Sequence, residues 1–155
     1  MIDASKGFYV RRLVPADIES MLELNQLFGE AFGDVETYTA KPPRGAYLDR
    51  LLGTPEFVAL VAIYQGEIIG GLVAYELVKF EAERSEFYIY DLAVREQSRR
   101  RGVATALIEE VRAIAAANNA SVVFVQADRG DEPAIALYAK LGKREDVLHF
   151  DIPAR

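Results

Sequence analysis

The sequence predicts a mixed fold of the α+β class, strands and helices around one sheet. Two observations lead there. Runs of strand-forming residues recur at 57–64, 68–79, 87–94 and 121–127, bounded by Gly, Asp, Asn and charged residues. Between and around them lie stretches whose apolar residues fall at helical spacing. The chain has 155 residues, 51% hydrophobic and 27% charged, which suits one globular domain over 1–155 with its own core.

Each element has a local cause. Residues 8–13 read as a first strand. Pro15-Ala16-Asp17 opens a helix, with Pro near its first turn. Ile18, Met21, Leu22, Leu24, Leu27, Phe28 and Phe32 form its apolar face, and Gly33-Asp34 ends it. A loop with Pro42-Pro43 precedes a short helix near Tyr47, Leu51 and Leu52. Gln65-Gly66-Glu67 turns strand 57–64 into strand 68–79, a hairpin in which Gly70-Gly71 marks a bulge or a close backbone approach. Strand 87–94 is rich in aromatics. The helix from Gly102 to about Asn118 carries Val103, Leu107, Ile108, Val111, Ile114 and Ala115 on one face. Val122-Val123-Phe124-Val125 reads as a buried strand. Pro133 begins a helix that Gly142 caps, and 147–150 looks like a last strand.

Composition removes several functions. Zero cysteines exclude disulfides, thiolate metal sites and an enzyme thiol, and a single histidine argues against zinc. No apolar run spans a membrane, and 1–6 lacks signal-peptide form, so the expected location is cytoplasmic. The net charge of −6 argues against nucleic acid as partner.

The basic residues are unevenly placed. Arg99-Arg100-Arg101-Gly102-Val103-Ala104-Thr105 follows the apolar strand Ile89-Tyr90-Asp91-Leu92-Ala93-Val94 and opens a helix. A helix start offers free N–H groups and positive potential, so a pyrophosphate fits there. Gly102 and the small Ala104 admit close backbone approach, Thr105 adds a hydroxyl, and the arginines supply charge. The turn lacks the Gly-Lys-Ser/Thr of a Walker loop and the three spaced glycines of a dinucleotide fingerprint. Acidic segments elsewhere suggest a cationic second ligand, though charge clusters also arise as solvated faces.

Strand, R-x-x-G-x-A, helix, strand and Ala136-Leu137-Tyr138-Ala139-Lys140-Leu141-Gly142 together resemble the GCN5-related N-acetyltransferases. Phe32-Gly33-Asp34-Val35, Arg84-Ser85-Glu86, Tyr88 to Val94, Arg101 to Ile108, Val125-Gln126-Ala127-Asp128 and His149-Phe150-Asp151 extend the resemblance. They are similar to aminoglycoside 3-N-acetyltransferases of the gentamicin-acetylating type, over nearly the whole chain. The resemblance implies a mostly antiparallel sheet of six to seven strands, split between the family's strands 4 and 5, with about four helices. It also implies acetyl-CoA as cofactor, direct transfer in a ternary complex, and antibiotic resistance as the consequence.

Carried onto this chain, the backbone of Leu92, Ala93 and Val94 would pair with the pantetheine, and the Leu92 N–H would polarise the thioester carbonyl. Arg99, Arg100, Arg101, Gly102, Val103, Ala104 and Thr105 would hold the pyrophosphate. Tyr138 matches the tyrosine that protonates the departing thiolate. Where many relatives carry Asn, seven residues before it, this chain has Asp131. The acceptor ammonium must lose a proton. Asp91, an acid inside an apolar strand, is the first candidate base, with Glu86 second and a water relay open. Asp34, Glu86, Tyr90, Asp128, Asp131, Glu132 and His149 are the candidate acceptor contacts. The 33–44 loop would cover the sugar rings, with Tyr38, Tyr88 and Tyr90 stacking on them.

Each assignment has a structural alternative. Asp91 could bond backbone N–H groups at a bulge, Glu86 could be a solvated charge, and Tyr138 and His149 could be packing residues. The alternative acceptors are a polyamine, another small amine or a peptide. Outside that chemistry stand a non-catalytic acyl-CoA-binding module and an RNA-binding protein using Arg99–Arg101, the latter disfavoured by charge. The expected assembly is a homodimer.

Overall fold

A computed structural model of the chain describes residues 2–3 and 7–155. The stretch 1–6, read above for a signal peptide, lies outside the described residues except for the backbone of Ile2–Asp3. Six strands lie side by side in chain order: β1 (Ile2–Asp3), β2 (Phe8–Arg12), β3 (Phe57–Tyr64), β4 (Glu67–Val78), β5 (Ser85–Val94) and β6 (Ala120–Val125). All neighbours pair antiparallel except β5 and β6, which are parallel. The helices are α1 (Ile18–Phe32), α2 (Val35–Thr39), α3 (Gly45–Leu52), α4 (Val103–Ala117) and α5 (Glu132–Leu141).

The sheet separates two hydrophobic clusters. On one face Met21, Leu24, Leu27 and Phe28 of α1, with Leu48 and Leu52 of α3, pack on Ala59 and Val61 of β3. On the other, Leu107, Ile108 and Val111 of α4 pack on Val58 and Leu60 of β3 and Phe87 and Ile89 of β5. This double covering explains why β3 is a continuous apolar run with no alternation. The β3–β4 turn places Gln65 (φ 50°) and Gly66 (φ 81°) both in the left-handed region, the backbone of a two-residue hairpin. The glycine pair on β4 serves close approach. A Cβ on Gly71 would collide with Leu24 of α1, and one on Gly70 would lie 3.0 Å from the Ala93 carbonyl and 3.1 Å from Val103. Both helices therefore sit directly on this strand.

Four sequence expectations are corrected. The 33–44 loop contains a helix, α2, capped by Asp34. Phe32, the last residue of α1, is exposed and stacks on Phe28 at 5.8 Å and lies 5.9 Å from the Tyr38 ring of α2, outside the buried cluster. β6, expected to be a buried strand, has no buried residue, because it forms the edge of the sheet among the described residues. The last strand at 147–150 does not form: no residue after Leu141 is in a strand, and Val147, Leu148, Phe150 and Ile152 are exposed.

Candidate active site

The site grows from one irregularity in β5. Val73 of β4 stands opposite Asp91, but Ala74 stands opposite Ile89, so Tyr90 is an extra residue in the ladder. A bulge of this kind changes which face the following side chains take. Before it, Phe87 and Ile89 pack in the α4 cluster. After it, Leu92 and Val94 take that face, while Ala93 joins the α1 cluster. Tyr90 and Asp91 consequently project together on the α1–α2 face. Strict alternation would have sent Asp91 into the α4 core.

The parallel partner stops at the same place. Pairing of β5 with β6 ends at Ile89–Val125, so residues 90–94 have no strand on that side among the described residues. The Arg95 N–H donates to the Ile69 carbonyl at 2.8 Å on β4. By alternation, the N–H and C=O groups of Leu92 and Val94 turn away from β4 into this opening. The Val94 carbonyl accepts from Arg99 Nε there at 3.2 Å.

Asp91 is half-buried, and burial raises its carboxyl above the usual carboxylate range. The Tyr38 hydroxyl of α2 donates to Asp91 Oδ2 at 2.9 Å and opposes that rise. Burial and the adjoining Asp91 push the Tyr38 phenol upward, so it stays a neutral donor. Tyr38 reaches this point because α2 crosses α1 at Gly29, where an added Cβ would lie 2.9 Å from Val35 Cα and 3.2 Å from Tyr38 Cβ. Sequence reasoning assigned Tyr38 to stacking and missed the bond. The available signal was Gly29 inside an otherwise good helix, where glycine costs roughly 1 kcal/mol and calls for a packing reason. Beside Asp91 an aromatic row crosses the sheet: Phe57–Tyr75 (5.5 Å), Tyr75–Tyr90 (5.8 Å), Tyr90–Tyr88 (5.8 Å) and Tyr88–Phe124 (4.7 Å). Tyr90 is 61% exposed and Tyr75 38%, so the middle of this row is open surface, while Phe57 at its end is buried in the α1-side cluster.

The basic turn lies at the other end of the opening. A short 3-10 turn, Glu96–Ser98, leads to exposed Arg99, Arg100 and Arg101. Arg100 (φ 62°) and Gly102 (φ 79°) both take the left-handed region. No side chain caps α4, so the N–H groups of Val103, Ala104 and Thr105 face outward, as a cradle for an anion requires. The three arginines are not equivalent. Arg99 is tied to Val94, Arg101 stacks over the Tyr64 ring at 4.5 Å, and Arg100 has no side-chain partner among the described residues.

The remaining candidates are dispersed. Tyr138 on α5 packs against the α4-side cluster. Burial and Asp131 keep its phenol protonated, and no hydrogen bond engages its hydroxyl among the described residues. Glu86 is paired with Arg84 at 3.0 Å and Lys79 at 4.0 Å. Asp34 caps α2 by accepting from Thr37 N at 3.4 Å, and Asp131 caps α5 by accepting from Ala134 N at 3.2 Å. Asp128 and Glu132 are exposed near the start of α5. His149 pairs with Asp151 at 2.9 Å in the exposed C-terminal segment and not in a strand. Among the described residues no cluster of His, Asp or Glu forms a metal site, and no helix is long and apolar enough to cross a membrane.

Residues 19–143 match the acetyltransferase (GNAT) family. The chain is similar to a solved aminoglycoside acetyltransferase from an uncultured soil metagenomic sample. That match has 60% identity and a TM-score of 0.94 over 96% of this chain and 99% of the other. A second soil-metagenome aminoglycoside acetyltransferase, solved in complex with sisomicin, is 29% identical with a TM-score of 0.89, over 99% and 100% of the two chains. An N-alpha-acetyltransferase of Sulfurisphaera tokodaii is 27% identical over 92% of this chain and 85% of its own length.

Proposed function

The chain belongs to the acetyltransferase (GNAT) family, and on that premise we propose that it moves an acetyl group from acetyl-CoA to the 3-amino group of a 2-deoxystreptamine aminoglycoside. The observation that carries the chemistry is Asp91: a carboxyl raised by burial, held by Tyr38, beside the strand edge that β6 leaves free. The acceptor reading draws support from the 60% identical relative, itself an aminoglycoside acetyltransferase.

The residues present suit acetyl-CoA. The uncapped start of α4, Gly102 and the exposed arginines match a pyrophosphate in charge and in donors. The outward N–H and C=O groups of Leu92 and Val94 offer strand-like pairing to a pantetheine arm, with Ala93 between them. Acetyl-CoA supplies an activated acyl group on a good leaving thiol. Leu92 N–H is the donor placed to polarise its carbonyl, a contribution of about 10²–10³ in rate for a preorganised donor. Asp91 accepts the proton that the ammonium must lose before its nitrogen carries a lone pair, directly or through one water. Tyr138, kept protonated, supplies the proton to the leaving sulfur. Tyr90 and its aromatic neighbours form a flat surface for sugar rings beside the base, and the capping carboxylate of Asp34 lies close enough to act on Tyr38.

A second reading keeps the chemistry and takes a peptide α-amine, supported by the Sulfurisphaera relative described as an N-alpha-acetyltransferase. The test is CoA release from acetyl-CoA with gentamicin, sisomicin, spermidine and a short peptide in parallel, followed by NMR of the product. Turnover of gentamicin with acetylation at the 3-amino nitrogen is expected. Turnover confined to the peptide overturns the aminoglycoside assignment, and acetylation at another nitrogen overturns the position.

A further inference from the structure

The opening beside β5 has a floor. The backbone groups suited to a pantetheine run from Val94, next to the arginine turn, to Leu92, and the paired Ile89 and Val125 close the opening just past Tyr90. A groove of about 340 Å³ begins at that pair and continues away from the arginines, between β6, α4 and α5. Ile89, Ile108, Val123, Val125, Tyr138 and Leu141 line it, and Ser121 at the start of β6 marks its far end. From Val125 back to Ser121 the strand covers four residues, about 13 Å.

The bulge at Tyr90 decides which way a substituent on the thioester carbonyl can extend. Asp91, bonded to Tyr38, stands on the α1–α2 face, so the acceptor nitrogen must arrive from that face. Tyr138 packs with the α4-side cluster, on the other face of the sheet. With the Asp91 side given to the acceptor, the α4–α5 side is left for the acyl group, and the groove starts there beside Tyr138. The groove is apolar without being a packed interior. Ile89 and Ile108 at its base are buried, whereas Val123, Val125, Tyr138 and Leu141 around it are only half-buried. Apolar side chains in that state gain from any further apolar group laid against them. An acetyl methyl fills almost none of the space.

We propose that this groove is an acyl-chain site, and that the protein takes straight-chain acyl-CoA donors such as butyryl-CoA and hexanoyl-CoA as well as acetyl-CoA. The proposal rests on the proposed function, which supplies the site for the CoA part of the donor. Ile89 and Val125 form the mouth of the groove, and Val123 on β6 and Leu141 on α5 wall its deeper part. The chemistry is unchanged by the longer tail. A bond forms between the acyl carbon and the acceptor nitrogen, the carbon–sulfur bond breaks, Asp91 takes the nitrogen's proton and Tyr138 gives one to the sulfur. The tail itself is recognised by area alone, since the groove's mouth is lined by hydrocarbon and offers a chain nothing polar to displace.

Titration calorimetry of acetyl-CoA, butyryl-CoA and hexanoyl-CoA, with no acceptor present, tests the site directly. A fully buried CH₂ strengthens binding about fourfold, and a groove open on one side gives less. Butyryl-CoA should therefore bind roughly three- to tenfold more tightly than acetyl-CoA, and hexanoyl-CoA at least as tightly as butyryl-CoA. Val123→Phe and, separately, Leu141→Phe put a ring into the deeper part from opposite walls. Each should leave acetyl-CoA within about twofold of the parent, which also reports a folded protein, and should abolish the extra affinity for hexanoyl-CoA. With gentamicin as acceptor, butyryl-CoA should release CoA and give a product whose mass carries the butyryl group. Butyryl-CoA that binds the parent no better than acetyl-CoA overturns the proposal, and so does a hexanoyl preference that survives in both variants. Failure of acetyl-CoA itself to bind removes the proposed function and this site with it. A chain-length preference in binding, with gentamicin left unmodified by every donor, upholds the acyl site and removes the acceptor assignment alone.

Discussion

At the scale of single residues, the contest at Asp91 sets the working pH. Burial lifts its carboxyl above 3.8, and the hydrogen bond from Tyr38 pulls it part of the way back. A base works only when deprotonated, so the acid limb of kcat/KM should rise with pH through a pKa above the ordinary carboxylate range. Tyr38→Phe removes the lowering influence and leaves the burial. The acid limb should therefore move to higher pH, and rate at low pH should fall more than rate on the plateau. An inflection that stays in place would detach Tyr38 from the base. Asp91→Asn should cost about 10²–10⁴ in kcat, with a smaller effect on acetyl-CoA binding. Tyr138→Phe keeps the packing and deletes the proton, so kcat should fall while the melting temperature stays close to that of the parent. Equal kcat in Tyr138→Phe and parent would make Tyr138 a packing residue.

Elements decide whether those residues meet. The alternation of β5 was readable from its sequence, but Tyr90, one residue too many in the ladder, was not, because a bulge is set by pairing with β4 and leaves no mark of its own. The helix starting at Val103 was legible from apolar period and from Gly102. The left-handed Arg100 and the stack of Arg101 on Tyr64 were not, since they depend on where a distant hairpin ends. α2 was hidden in a loop with no apolar period, although Asp34 preceding it is an ordinary capping residue. Its placement rests on Gly29. Gly29→Ala improves helix propensity by roughly 1 kcal/mol, yet forces α2 off α1. The expected result is a large loss of kcat with little loss of helix content by circular dichroism. A fully active Gly29→Ala would show that α2 does not need this contact to deliver Tyr38. At the basic turn, Tyr64→Leu removes a cation–π contact worth about 0.5–1 kcal/mol, so the KM for acetyl-CoA should rise roughly two- to fivefold.

Over the whole molecule the charges are sorted, and the sorting bears on both ligands. The net charge is −6, yet Arg99, Arg100 and Arg101 stand together at one end of the opening beside β5. Glu86 with Arg84 and Lys79, and Arg95 with Glu30, neutralise one another locally. Asp34, Asp128, Asp131 and Glu132 have no such countercharge among the described residues and remain exposed. A polycationic acceptor should thus be drawn by the overall field, whereas an anionic cofactor is drawn only by the arginine turn and repelled by the rest. Salt screens the long-range part first, because the Debye length falls to about 10 Å at 0.1 M and about 3 Å at 1 M. Raising ionic strength from about 0.01 M to 1 M should lower kcat/KM for an aminoglycoside steeply. It should lower kcat/KM for a singly charged peptide amine much less. The two acceptor readings therefore predict different slopes on the same protein. A salt-insensitive kcat/KM for gentamicin would mean that the exposed carboxylates do not guide the acceptor, and would leave recognition to the aromatic row beside Asp91.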